Sequence, residues 1–231
     1  MTGTIINIIT VLVGGSLGLF LGTKVPERIR DTVMAGLGLF VLGFGLYNFL
    51  ETNNPLIVLG SLLVGALLGE WWKIEEKLQS LGSYLESRFT LKNDGTNMFV
   101  HGFLAASILF CVGPMAIIGS IQDGLTGDFN ILATKAIMDG FAALAFASTL
   151  GSGVLFSVVV ILVYQGGLSL LANQLNQVIT TPMMAEMNAA GGILLIGIAI
   201  SSLLEIKKIR VGNFLPALFI APLIVYILGF L

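Results

Sequence analysis

Three ionisable side chains, Lys135, Asp139 and Glu186, stand inside long apolar runs of this 231-residue chain. A charge at membrane depth costs roughly 3 kcal/mol or more unless it is partnered, so such residues mark functional sites by default. Asp139 lies well inside a run from Ile131 to Thr149. At the helical rise it is about 13 Å from the outer end of that helix, close to a bilayer midplane. Lys135 precedes it by one turn on the same face, a spacing suited to an ion pair. Two readings follow. The pair neutralises itself and only orients its helix, or Asp139 binds a cation or proton while Lys135 snorkels outward or competes for the carboxylate. In the second reading one ion or proton replaces the internal counter-charge, which is a workable transport switch.

Glu186 and Asn188 fall in the first two turns of a run that opens at Pro182. Thr181 is placed to cap that helix and Pro182 suits its first position. A carboxylate there either complements the helix dipole or contributes to a site near Asp139. Pro114, in Cys111-Val-Gly-Pro-Met, breaks another run and leaves the Phe110 carbonyl without its amide partner. Broken helices with freed carbonyls coordinate ions in transporters, and proline kinks also occur with no ligand. The stretch that follows, Gly119 to Asp128, is polar and glycine-rich. It reads as an outer vestibule in which Gln122, Asp123 and Asp128 attract cations, or as a plain solvated loop. Tyr164 and Gln165 add polar groups to a neighbouring run, and His101, near a run's end, reads as an interfacial hydrogen-bonder sooner than as a proton relay. No metal-ligand spacing, no catalytic triad and no cofactor motif accompanies these residues. The expectation is a protein that is not an enzyme.

The elements that must position them are membrane helices. Hydrophobic residues make up 56% of the chain and charged residues 10%, against about a quarter charged in a soluble domain. The net charge of −2 lacks the basic face that nucleic acid requires. The sole cysteine, Cys111, excludes an intrachain disulfide. A span needs about 20 apolar residues. Eight runs qualify: Ile5–Gly22, Val33–Leu50, Pro55–Gly69, Met98–Ile118, Ile131–Thr149, Val154–Leu171, Pro182–Leu204 and Phe214–Leu231. The fold class is therefore all-α integral membrane, with about eight spans, or seven plus a re-entrant unit. The uncharged turn from Ser148 to Gly153 leaves open whether the fifth and sixth runs cross fully. The first run has no basic leader and reads as a retained helix.

Lysines and arginines fix the orientation expected. Lys24, Arg28 and Arg30, then Lys73, Lys77, Arg88 and Lys92, then Lys207, Lys208 and Arg210 all fall in loops on one side of an eight-span alternation. The positive-inside rule makes that side cytoplasmic and puts both termini outside. The chain groups as one membrane domain: glycine-rich runs over 1–70, a cytoplasmic segment over 71–96, and the remaining runs over 97–231. Between Trp71 and Phe89, Ile74, Leu78, Leu81, Leu85 and Phe89 recur at helical spacing. They predict an amphipathic helix on the cytoplasmic interface, or one packed on a partner or on the protein's own loops. Gly14, Gly18 and Gly22, and Ser61, Gly65 and Gly69, bring small residues to one face of the first and third runs. They support close helix packing, a homo-oligomer contact or a moving gate. A Gly-Ser-Leu tract shared by these two runs hints at internal duplication.

Several longer motifs carry a resemblance. They are Phe110-Cys-Val-Gly-Pro-Met with Gly119-Ser-Ile-Gln-Asp-Gly, Lys135-Ala-Ile-Met-Asp-Gly with Phe146-Ala-Ser, Tyr164-Gln-Gly, Glu186-Met with Gly191-Gly, and Glu205-Ile-Lys-Lys-Ile-Arg-Val-Gly-Asn-Phe-Leu-Pro-Ala. Over nearly the whole chain it resembles the bacterial multi-pass membrane proteins of the YdfK/YqgA type, domain of unknown function 554. The resemblance implies the bacterial inner membrane, at most a transport activity, and added weight on Asp139, Gln122, Asp123 and Glu186. The function expected is a transporter or channel for a monovalent cation, linked to Na+ or H+, or for a small solute. The alternative is a scaffold or sensor acting through the amphipathic helix. The partners expected are the lipid bilayer, that cation or solute, and a second copy of the chain.

Overall fold

The structure is a computed structural model and describes residues 1–22, 26–89 and 96–229. Lys24 and Lys92 lie outside the described residues, as do the side chains of Arg30, Leu85, Arg88, Phe89 and Pro114. The helices are α1 (Thr2–Gly22), α2 (Glu27–Phe49), α3 (Pro55–Trp72), α4 (Ile74–Phe89), α5 (Thr96–Cys111) and α6 (Pro114–Thr126). They continue with α7 (Asn130–Leu150), α8 (Gly153–Leu170), the single turn α9 (Ala172–Leu175), α10 (Thr181–Ile198) and α11 (Ala217–Leu228). A π-helical turn, Ala199–Leu203, extends α10, and a 3-10 turn, Val211–Phe214, leads into α11. Among the described residues there is no strand. Among the described residues seven helices are long and apolar enough to cross a membrane, and α5 with α6 forms an eighth candidate bent by 61°.

Local chemistry sets the ends. Asn54 caps α3, its side chain accepting the Leu56 N–H at 3.1 Å just before Pro55. Gly113, at φ 122, occupies a conformation that L side chains avoid, and Pro114 then opens α6. The chain thus breaks here and does not merely kink. Thr180, not Thr181, caps α10: its hydroxyl accepts the Met183 N–H at 3.4 Å. The cap must precede the first helical residue in extended backbone, and Thr180 has that geometry (φ −106, ψ 160).

Contacts divide the chain into two compact units interleaved along the sequence: 1–37 with 80–177, and 38–79 with 178–231. No shift in composition marks these boundaries, two of which pass through α2 and α4 and the third between α9 and α10.

In the first unit α1 runs parallel to α7. A Cβ at Gly14, Gly18 or Gly22 would collide with the carbonyl oxygens of Gly140, Leu144 and Ser148 in turn. The equal spacing of four residues on both helices is what allows one long seam. Helix α8 returns beside them through a two-residue turn in which Gly151 has φ 79. That turn is covered by α5: Gly153 packs on the Phe99 carbonyl and Gly102 on Leu150. The far end of α6 meets the far end of α8, where Gly124 packs on the Ser169 carbonyl. The bent α5–α6 pair therefore runs the full length of α8 and is a broken span, not a re-entrant hairpin. Helices α7 and α8 are themselves 21 and 18 residues long, sufficient for complete spans. Phe99, Phe103, Phe110, Phe146, Leu132 and Ile161 fill the core between these helices.

The stretch from Gly119 to Thr126, expected as vestibule or solvated loop, is helical. Its glycines serve close approach: Gly119 accommodates the Leu132 side chain, and Gly124 the backbone of α8.

In the second unit α3 runs antiparallel to α11, with Gly65 against Ala217 and Gly69 against the Asn213 carbonyl. Helix α10 packs on the later half of α2, where Gly192 faces the Gly45 carbonyl. The first turn of α4 is tied to the loop before α11. The Glu75 carboxylate accepts the Gly212 N–H at 2.7 Å, and the Glu75 N–H donates to the Asn213 side chain at 2.8 Å. Glu70 in turn accepts from Arg210 and Asn213. Of the placements expected for this helix, packing on the protein's own loop describes its first turn. Trp71 and Trp72 are exposed.

The glycines of α1 and α3 named above are thus occupied in packing within their own units. The two Gly-Ser-Leu tracts do not share an environment: one seam is parallel and the other antiparallel, so packing lends the duplication no support.

Candidate functional site

The polar cluster of the first unit is built by α1, α7 and α8. Lys135 and Asp139 face each other one turn apart on α7 and form a buried ion pair, their side chains 7% and 10% exposed. Lys135 does not snorkel. Its ammonium also stands 6.0 Å from the Phe110 ring centroid, near the α5–α6 break. From α1, Asn7 donates through Nδ2 to Asp139 Oδ2 at 2.9 Å and to Gln165 Oε1 of α8 at 3.2 Å. Asn7 and Gln165 are fully buried. A buried ion pair needs such additional hydrogen bonds, because desolvation of two charges offsets most of their attraction.

Further polar atoms extend from this cluster toward the end of the unit where α1 begins and α6 stops. Asp123, buried on α6, accepts the Gly3 N–H at 3.0 Å and the terminal amine of Met1 at 3.1 Å through Oδ2. It lies where α1 presents unpaired N–H groups, the favourable place for a carboxylate. Thr4 Oγ1, Asn7 Oδ1, Asp123 Oδ1, Gln165 Nε2 and Ser169 Oγ are buried and find no partner among the described residues. Leaving a buried polar atom unsatisfied costs about 1–3 kcal/mol. Thr4 and Asn7 lie one turn apart on α1, and Gln165 and Ser169 one turn apart on α8, so each pair shares a face. Gln122 is engaged elsewhere, donating to Asp128 at 3.0 Å, while Asp128 also accepts from the Asn130 backbone and side chain.

Glu186 belongs to the second unit. Its carboxylate accepts from the Thr52 hydroxyl at 2.6 Å, the Asn53 N–H at 2.8 Å and the Asn54 N–H at 2.9 Å. It therefore complements the N-terminus of α3, not of its own helix. Asn188 is buried on α10, and its Oδ1 has no partner among the described residues.

Of the residues singled out from the sequence, the structure gathers Lys135, Asp139 and Gln165, with Asp123 on the helix end beside α1. It sets Glu186 and Asn188 in the other unit, and gives Pro114 the first position of α6. Asn7, Thr4 and Ser169 escaped sequence reading. Their only signal was polarity within apolar runs, and a small hydroxyl in a membrane helix usually bonds its own backbone, as Ser157 does.

Comparison with known proteins gives relatives along the whole chain. It is 35% identical to the uncharacterized protein YqgA of Escherichia coli strain K12, over 95% of this chain and 94% of that protein. It is 28% identical to the uncharacterized membrane protein YdfK of Bacillus subtilis strain 168, over 99% of this chain and 97% of that protein. No solved structure matches. The family described as protein of unknown function (DUF554) matches residues 2–226, and the chain, a multi-span all-α membrane protein, belongs to it.

Proposed function

We propose that the protein is a transporter of a monovalent cation coupled to protons, with Asp139 as the binding carboxylate and Lys135 as its tethered counter-ion. The observation that carries this reading is the ion pair buried midway along α7 and held by Asn7. Charge balance suggests how it works. A cation that binds Asp139 while Lys135 releases one proton replaces one positive charge by another, so the cluster stays neutral in both states. Neutrality matters because an unpaired charge at this depth is strongly disfavoured. Pairing with oxygen ligands such as Asp139 suits hard cations.

In this reading the protein lies in a bacterial inner membrane with the start of α1 outside the cytoplasm, an orientation supported by the basic loops under the positive-inside rule. Proteoliposomes with an imposed pH gradient test the reading. Sodium or potassium flux is expected in the wild type and lost in Asp139→Asn; flux unchanged in Asp139→Asn removes the site from the mechanism.

A second reading makes α4 the working part, as an interfacial helix that holds a partner. It is favoured by the exposed Trp71, Trp72 and Leu81 next to the anchored Glu75. Deletion of residues 80–89 abolishing the cellular phenotype, with Asp139→Asn normal, would establish it.

A further inference from the structure

We infer that the first unit contains a hydrated polar file running from the end of α6, at Asp123, to Asp139, and that water in this file delivers protons to the ion pair from that end. The inference deepens the reading above and rests on Asp139 as its centre.

The file is defined by the five unpartnered atoms on α1, α6 and α8: Asp123 Oδ1, Thr4 Oγ1, Ser169 Oγ, Gln165 Nε2 and Asn7 Oδ1. Each of these residues is more than nine-tenths buried. Contacts place them together. Gly3 of α1 touches Asp123, Gly124 of α6 packs on Ser169, and Asn7 bonds Gln165. One helical turn is about 5.4 Å, so Thr4 to Asn7 and Ser169 to Gln165 are single steps toward Asp139. At the other end Gly124, Leu125 and Thr126 are exposed, which puts Asp123 within one residue of the surface.

The chemistry of the atoms selects water over a bare cation. A carboxylate only accepts hydrogen bonds, so the Asn7 group that meets Asp139 must be its NH2. That leaves Asn7 Oδ1 as a free acceptor. The same NH2 donates to Gln165, which fixes Gln165 Oε1 toward Asn7 and leaves its NH2 as a free donor. A dehydrated cation needs acceptors only and would be repelled by that NH2. Donors, acceptors and two hydroxyls that can do either suit water, which needs two to four polar partners. Such a chain of water also carries protons.

Cysteine accessibility tests this in membrane vesicles, with the native cysteine removed (Cys111→Ala). Thr4→Cys and Ser169→Cys are small exchanges expected to fold. A membrane-impermeant methanethiosulfonate ammonium reagent reacts only with thiols that water reaches. Both cysteines are expected to react at least tenfold faster than Ile9→Cys, which lies on the exposed apolar side of α1. They should do so only in vesicles oriented with the start of α1 toward the reagent. Ser169→Cys inert from both sides in protein that elutes as a single species overturns the file, as does equal reaction from both sides. The outcomes separate from those of the flux test. Reactive cysteines with flux unchanged in Asp139→Asn keep the file and remove the transport reading; inert cysteines with flux lost do the reverse.

Discussion

Asp139 and Glu186 are carboxylates of similar burial in two different units, and their surroundings differ in kind. Glu186 accepts three hydrogen bonds from one short segment, two of them from backbone N–H groups that α3 cannot otherwise use. Two of its three partners are main-chain N–H groups and cannot leave. Asp139 has a lysine and an asparagine amide, both side chains, and lies beside a row of unpartnered polar atoms. A carboxylate satisfied by backbone is an anchor; one balanced by a single flexible ammonium can change partners. The glycine helices repeat the contrast. Similar small-residue tracts on α1 and α3 meet the backbone of a parallel neighbour in one unit and of an antiparallel neighbour in the other.

The largest effect that would break the comparison is expected from Lys135→Met. It leaves Asp139 buried without its counter-charge, and about 3–5 kcal/mol of stability should be lost in detergent unfolding. The double variant Lys135→Met/Asp139→Asn should recover most of that loss while flux stays absent. Equal damage in single and double variants would show that the pair is not coupled. Next come the seams: Gly14→Val and Gly69→Val should each cost about 1–3 kcal/mol through forced backbone separation. Hydrogen exchange should rise in α1 and α7 for the first, and in α3 and α11 for the second.

Glu186→Gln keeps an acceptor and removes the charge, so a loss of about 1–2 kcal/mol is expected, with ion flux retained. Loss of flux in a folded Glu186→Gln protein would erase the distinction between the two carboxylates. The smallest change is Asn54→Ala, which removes the side-chain cap of the same helix and should cost about 1 kcal/mol. Its effect should shrink in the Glu186→Gln background, because both groups serve one helix end.

Much of the fold is legible from composition and periodicity. Most of the apolar runs locate their spans to within a few residues, since length and the absence of charge are all a bilayer demands, but the fourth ends at Ile118 where α6 continues to Thr126. Gly119 and Gly124 misled that reading, because glycine serves loops and close packing alike. Lys135 and Asp139 were legible as a pair because both lie on one helix four residues apart. Asn7 and Gln165 join them from 132 and 26 residues away, where no local pattern reaches.

By itself the sequence determined that this chain is a multi-span membrane protein, and that its deepest charges are a lysine and an aspartate one turn apart. Which carboxylate is held mainly by backbone N–H groups and which by side chains alone was decided by tertiary structure. A side chain's chemistry in the membrane depends on whether its partners are backbone or side chains, and those partners come from helices distant in sequence.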